Sequence, residues 1–452
     1  MKKKSFFYSL LLVLFFLVSC YENLIYTKNT STDLSITSKI SYNYGSDLAL
    51  YDSLLDFSVF NDYLRTEEDL ENDIRAFIKS FNGLKNVDGF TFDNVENIQI
   101  NQNIRLCIYN VFYTDSEKKF FIIIPNDRRI GDVLFISDDS IWEELKDNDG
   151  IKELILGFTE YSEKVLSEWD KISYEEISNQ KNKYTSMSKD ITLDSSVYRE
   201  YGNWVQYGSD TFIKTEDWVQ SSFYNDAIEK VYNTNGYLVG CGPLAIGLIM
   251  NYWKYPEAFV DISGKKANLS LLKSVWPEYN DWNGYYDWDS INNGTNHFQT
   301  AALLLDVAEQ CNTSYSVSGS GIFLEDISRC LDFFNFSYEE VDNPKNSLAG
   351  ILSITSSIEN EMPVICTSKS HVFIIDGSKL MLRDCVFRRY TIGVESVTYE
   401  PVTVTEQQSL YYHVNMGWGS DAQTGGMGWY NPSAVVGGHS CNHAFCNIKP
   451  AN

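Results

Sequence analysis

Between Tyr237 and Pro256 the chain reads "YLVGCGPLAIGLIMNYWKYP". From Leu244 to Trp253 it is apolar almost all round, a pattern that suits only a helix buried on every side. Pro243 fits the first turn, where its missing N–H costs nothing, and Pro256 marks the end. Such a helix must be wrapped by elements distant in sequence, so the chain needs a large packed core. With 452 residues, 44% of them apolar and 15% aromatic, it can supply one, and the length predicts two or three domains.

The mouth of this helix carries chemistry. Cys241 stands where unpaired N–H groups and the positive end of the helix dipole favour an anion, a setting that lowers a thiol pKa and yields a reactive thiolate. Gly240 and Gly242 on either side are expected to let a substrate backbone come close.

The rest of the chain limits the alternatives. A net charge of −25 argues against nucleic acid, because no basic patch is present to neutralise phosphates. At the N-terminus, Lys2-Lys3-Lys4 is followed by an apolar run from Phe6 to Val18, too short to span a bilayer comfortably, and then by Ser19-Cys20. A cysteine directly after a small residue resembles the bacterial lipobox, which implies lipidation of Cys20 and an exported body tethered to the cell envelope. Of nine cysteines, seven remain after Cys20 and Cys241, an odd number at irregular spacing. This excludes a disulfide scaffold and makes most of them small buried hydrophobes.

Along the chain, residues 21 to about 50 are polar and suit a tether. Helical pattern follows in Asp62–Phe81, two short strands in "KKFFIIIPNDRRIGDVLFIS" (Lys118 to Ser137), and one helical stripe through Ile151, Leu154, Ile155, Phe158, Tyr161, Val165, Trp169 and Ile172. This first unit reads as a small α+β domain. From Ser173 to about Asp210 the sequence is polar with little periodicity and reads as a linker. Beyond it come short strands and two apolar helices, Thr300 to Cys311 and Leu324 to Phe334.

A nucleophilic cysteine needs a base. His371 in "EMPVICTSKSHVFIIDG" opens a strand after a short polar turn. Asn415 in "LYYHVNMGWGSD" offers a group to orient the imidazole, with the indole of Trp418 as a cover. Acyl transfer also needs donors for an oxyanion; the Cys241 backbone N–H is one, and the amide of Gln220, just after Trp218, is a second.

In order along the chain, "DWVQSSFYN", "GCGPLAIGLIMNYWKYP", "YYDWDSI", "MPVICTSKSHVFIIDG", "YYHVNMGWGS" and "CNIKP" resemble the streptopain family of papain-fold cysteine peptidases, over about Phe212 to Pro450. The 130 residues from Cys241 to His371 also suit the papain-like spacing of about 130–150. The resemblance implies an α+β papain-like catalytic domain, in which a buried nucleophile helix packs on an antiparallel sheet. It implies Cys241 as nucleophile, His371 as base, Asn415 as orienter, Gln220 with Cys241 as oxyanion hole and Trp418 as cover, without cofactor or metal. "FFIIIPNDRR" and the helix after it are similar to the family's propeptide. The organisation expected is a signal peptide at 1–19, a tether at 20–50, an inhibitory propeptide-like domain at 51–175, a linker with the activation cut at 176–211 and a peptidase domain at 212–452. The chain is thus expected to be an exported, lipid-anchored endopeptidase zymogen whose partners are protein or peptide substrates, its own propeptide and the membrane.

Three departures stand out: Gly242-Pro243-Leu244 where the family has small residues after the cysteine, Lys369-Ser370 where glycines precede the histidine, and Met416 where a tryptophan is usual. They keep open a catalytically dead surface lipoprotein that binds peptides in the same groove, and a transferase or amidase using the same triad. "HSCNHAFC" offers a rival constellation, with His439, Cys441, His443 and Cys446 as zinc ligands; a structural site usually draws on two separated elements, which this short run does not.

Overall fold

The computed structural model describes residues 64–81, 89–114, 117–138, 140–147, 151–152, 154–167, 193–201, 205–260, 268–292, 295–317, 319–344, 347–368, 371–392, 397–399, 403–417, 427–431 and 441–451. Cys20, Lys369, Ser370, Trp418 and His439 lie outside them, as do the signal and tether segments.

In the N-terminal unit, helix Glu67–Phe81 buries Leu70, Ile74, Phe77, Ile78 and Phe81, a stripe at helical spacing. Acidic residues open it and Lys79 closes it, as the helix dipole favours. Four strands follow: β1 (Phe90–Gln99), β2 (Arg105–Tyr113), β3 (Lys119–Pro125) and β4 (Phe135–Ser137). The last two are the pair expected around Pro125-Asn126. Of the stripe expected from Ile151 onward, Ile151, Leu154 and Phe158 are buried and a helix runs through 154–167, while Trp169 and Ile172 lie outside the described residues.

The remainder supplies β5 (Leu193–Tyr201), β6 (Val205–Phe212), β7 (Phe336–Asp342), β8 (Val364–Thr367), the long β9 (Val372–Ile392), β10 (Val397–Tyr399), β11 (Thr403–Asn415), β12 (Gly428–Tyr430) and β13 (His443–Pro450). The two expected apolar helices are His297–Gln310 and Leu324–Phe333. One antiparallel sheet runs in the order β1-β2-β3-β4-β12-β11-β9-β8-β13-β7, with β5, β6 and β10 also paired to β9. The two halves therefore share a sheet. Their junction is β4 against β12, with Ser137 opposite Gly428 and Phe135 opposite Tyr430.

The linker expectation needs correction at its C-terminal end. Leu193–Tyr201 and Val205–Phe212 are strands laid along β9, not free chain. Their pairing is a main-chain ladder on a 21-residue strand, which polar sequence such as "LDSSVYREY" satisfies without an apolar face.

Three cores result. One, drawn wholly from residues 218 to 448, wraps the Cys241–Trp253 helix with Trp218, Leu304, Ile374, Phe445 and their neighbours. The other two mix the halves: Phe121, Phe135 and Phe158 pack with Phe373, Tyr412 and Tyr430, and Leu70, Phe77 and Phe81 pack with Met381, Tyr411 and Trp429.

Candidate active site

Helix Cys241–Trp253 is buried from Gly242 to Asn251, as its composition requires. Its N-cap is Gly240 at φ 96°, a conformation L side chains avoid, and it provides no side-chain oxygen to the first turn. The first N–H groups of the helix are thus left for an anion. Cys241 is half-buried beside them. Burial pushes its thiol up, but a hydrogen bond and the positive charge of His371, together with the backbone N–H groups of Val372 and Gly242, bring it below the ordinary thiol value. The flanking glycines are also required by packing within the protein. A Cβ on Gly240 would lie 3.1 Å from the Ser320 carbonyl, and one on Gly242 would collide with Ile322 at 2.0 Å. Close packing by the 320–322 loop demands these glycines.

His371 sits just before β9, where Ser368 closes a tight turn by accepting its backbone N–H at 3.0 Å. Its Nε2 lies 2.8 Å from the carbonyl oxygen of Met416. A carbonyl only accepts, so Nε2 carries a proton. The nitrogen left to face the Cys241 thiol is Nδ1, and this is the tautomer in which it can accept the thiol proton.

Asn415 ends β11 one residue before that carbonyl, but its amide does not touch the imidazole. Nδ2 donates to Thr215 Oγ1 at 3.0 Å and to the Glu216 carbonyl at 2.9 Å, and Oδ1 accepts the Gly417 N–H at 2.9 Å. Among the described residues these bonds tie Asn415 to the turn that presents Met416 O, so its bearing on His371 is indirect. Gly417, at φ 70°, completes that turn, and a Cβ there would meet Leu244 Cδ2 at 2.7 Å. The departure at Met416 leaves this bond untouched, because the main chain makes it while the side chain is buried in the core.

Gln220 is held beside the segment that leads into the nucleophile helix by its carbonyl, which accepts the Val239 N–H at 3.0 Å. Its side-chain amide has no hydrogen-bond partner among the described residues. Trp218 is buried beneath it against the helix.

The family model of the peptidase C10 family matches residues 218–426, a span that contains Cys241, His371 and Asn415. Over that span the chain is similar to the peptidase C10 family. That match supports a cysteine peptidase. Two solved structures from Prevotella intermedia are similar to it. One is a prointerpain A fragment, 16% identical with a TM-score of 0.46, covering 80% of this chain and 98% of that one. The other is active wild-type interpain A cysteine protease, 18% identical with a TM-score of 0.35, covering 53% and 95%. No curated protein matches the chain.

Two of the candidate zinc residues, Cys441 and His443, have other partners. His443 turns Nδ1 to Asp342 Oδ1 at 2.7 Å and Nε2 toward Glu340 at 3.3 Å, while Cys441 lies against the His443 carbonyl at 3.6 Å. Sequence reasoning missed four residues behind the site: Thr215, Asp376, His413 and Asp138. Asp376 and His413 stand inside the quoted motifs "HVFIIDG" and "YYHVNMGWGS", and a carboxylate and an imidazole in apolar strands were the available signal.

Proposed function

We propose that the chain is an endopeptidase acting on protein or peptide substrates through Cys241, His371 and Asn415. The observation that carries this reading is a thiol at an uncapped helix N-terminus, drawn below its ordinary pKa by a histidine whose other nitrogen is fixed by a carbonyl. His371 Nδ1 takes the thiol proton and the thiolate attacks the scissile carbonyl. The oxyanion is received by the Cys241 N–H and the Gln220 amide. The imidazolium then protonates the leaving amine, and water, deprotonated by the same nitrogen, releases the acid from the thioacyl-enzyme. Trp418 covers the pair from solvent in this reading.

The N-terminal unit, from about 51 to 175, acts as an inhibitory propeptide in the same proposal, and Cys20 as a lipid anchor to the cell envelope. Because Leu193–Tyr201 and Val205–Phe212 are strands, the activation cut is assigned before Leu193, in sequence that is polar with little periodicity. The test follows the mass and the casein hydrolysis of wild type and Cys241→Ala together. Wild type is expected to shorten as activity appears, and Cys241→Ala to stay whole until wild type is added. A full-length wild type that is already fully active removes the inhibitory role. For the anchor, Cys20→Ser is expected to move the protein from the membrane to the soluble fraction; unchanged fractionation removes it.

A further inference from the structure

Behind Asn415 runs a line of buried polar groups that ends in the other half of the molecule. Asn415 Nδ2 donates to Thr215 Oγ1 at 3.0 Å. That hydroxyl has one proton, and it is given to Asp376 Oδ2 at 2.5 Å, alongside the Thr215 backbone N–H at 2.9 Å. The other oxygen, Oδ1, lies 2.5 Å from His413 Nδ1. His413 Nε2 in turn lies 2.9 Å from Asp138 Oδ2, at the end of β4 in the N-terminal unit. Thr215, Asp376, His413 and Asn415 are each at most 3% exposed.

The chemistry of the atoms gives this line a direction. Carboxylates only accept, so both His413 nitrogens carry protons and the ring is an imidazolium. Burial alone would push His413 down; the charges of Asp138 and Asp376 and their hydrogen bonds raise it to about 10. Asp138 is pushed up by burial but held below the usual carboxylate range chiefly by His413, with Lys118 and Lys214 assisting. The rings of Phe212 and Trp429, 4.5 and 5.3 Å away, complete the surroundings of His413. Since the Thr215 proton is committed to Asp376, only lone pairs face Asn415. The asparagine must therefore present its NH₂ to Thr215 and its oxygen to the Gly417 N–H, and this pins the turn that aims Met416 O at His371.

We propose that Asp138, His413, Asp376 and Thr215 form a positioning chain that couples the seating of the N-terminal unit to the orientation of Asn415, and through it to the Cys241–His371 pair. The proposal rests on the reading of that pair as catalytic. Losing Asp138 leaves His413 with Asp376 as its single carboxylate partner. The demand on Asp376 then grows, and the bond that orders Thr215 changes with it, because linked hydrogen bonds polarise one another.

The test needs no proteolysis. Carbamidomethylation of Cys241 by iodoacetamide, quantified at that site by mass spectrometry, is followed against pH in the full chain. Wild type is expected to label with a midpoint below the ordinary thiol value. Thr215→Val is expected to slow labelling at a fixed pH below the midpoint by about tenfold, equivalent to one pKa unit, while Thr215→Ser keeps the wild-type profile. Asp138→Asn, at a side chain 33% exposed and therefore tolerant of change, is expected to shift labelling about threefold, or about half a pKa unit, and to shift nothing further once Thr215 is valine. The proposal is overturned if the Thr215→Val profile coincides with wild type, or if Asp138→Asn acts equally in both backgrounds, even where melting temperatures fall. A wild type that labels like an ordinary thiol overturns the catalytic reading as well, so the two failures are distinguishable.

Discussion

The mouth of the nucleophile helix holds a half-buried cysteine and the junction of β8 with β13 holds buried ones, and the two regions treat them in opposite ways. At the junction, burial pushes the Cys366 thiol well up, and the neighbouring Cys441 and Cys446 sulfurs push it further. At the helix mouth burial also pushes up, yet Cys241 ends below its ordinary value. Desolvation has the same sign in both places. What differs is that Cys241 has a cation and backbone N–H groups to stabilise the thiolate, whereas every influence on Cys366 raises it. A buried thiol is inert until its surroundings supply that compensation.

The largest way to sharpen this contrast is to remove each sulfur in turn. Cys241→Ala is expected to abolish hydrolysis with the fold intact, and measurable peptide cleavage by a correctly folded variant would break the assignment. Removing the cation is next: His371→Ala is expected to lower kcat by a factor of ~10²–10⁴, read with a fluorogenic peptide. Asn415→Ala acts at one remove, by loosening the turn that holds Met416 O, so the expected loss in kcat is about tenfold, roughly one hydrogen bond, with KM little changed. Cys446→Ala is expected to leave kcat/KM within about twofold of wild type and to cost about 1 kcal/mol of stability in urea.

The smallest effect is one of sign. Cys241 has its folded-state pKa lowered, so its contribution to stability is present above the ordinary thiol value and is lost as pH falls through the lowered one. Cys366 and Cys446 are raised, so the folded state loses stability as pH climbs through the ordinary thiol value toward theirs. Urea titrations of Cys241→Ala and Cys446→Ala against wild type should therefore diverge in opposite directions on the alkaline side. Parallel curves would mean that the two environments are alike.

Much of this was legible in the residues. An all-round apolar run bounded by prolines dictated the buried helix, and its first residue marked the thiol. Short apolar runs found β3 and β4, and a helical stripe found the helix through 154–167. What escaped were arrangements with no side-chain signature. Met416 acts through its carbonyl, which any residue possesses. β5 and β6 are held by main-chain pairing that polar sequence does not advertise. Asp138 and His413 are 275 residues apart, joined across the sheet in which β4 pairs with β12.

That junction also changes what a cut before Leu193 would achieve. Hydrolysis there alters connectivity, yet β4 still pairs with β12, Arg65 and Arg383 still flank Asp132, and two cores still interleave side chains from both pieces. The nicked product would be a heterodimer in equilibrium with its parts, and the onset of activity would be governed by a dissociation constant. Dilution, or digestion of the freed piece, would complete what the cleavage began.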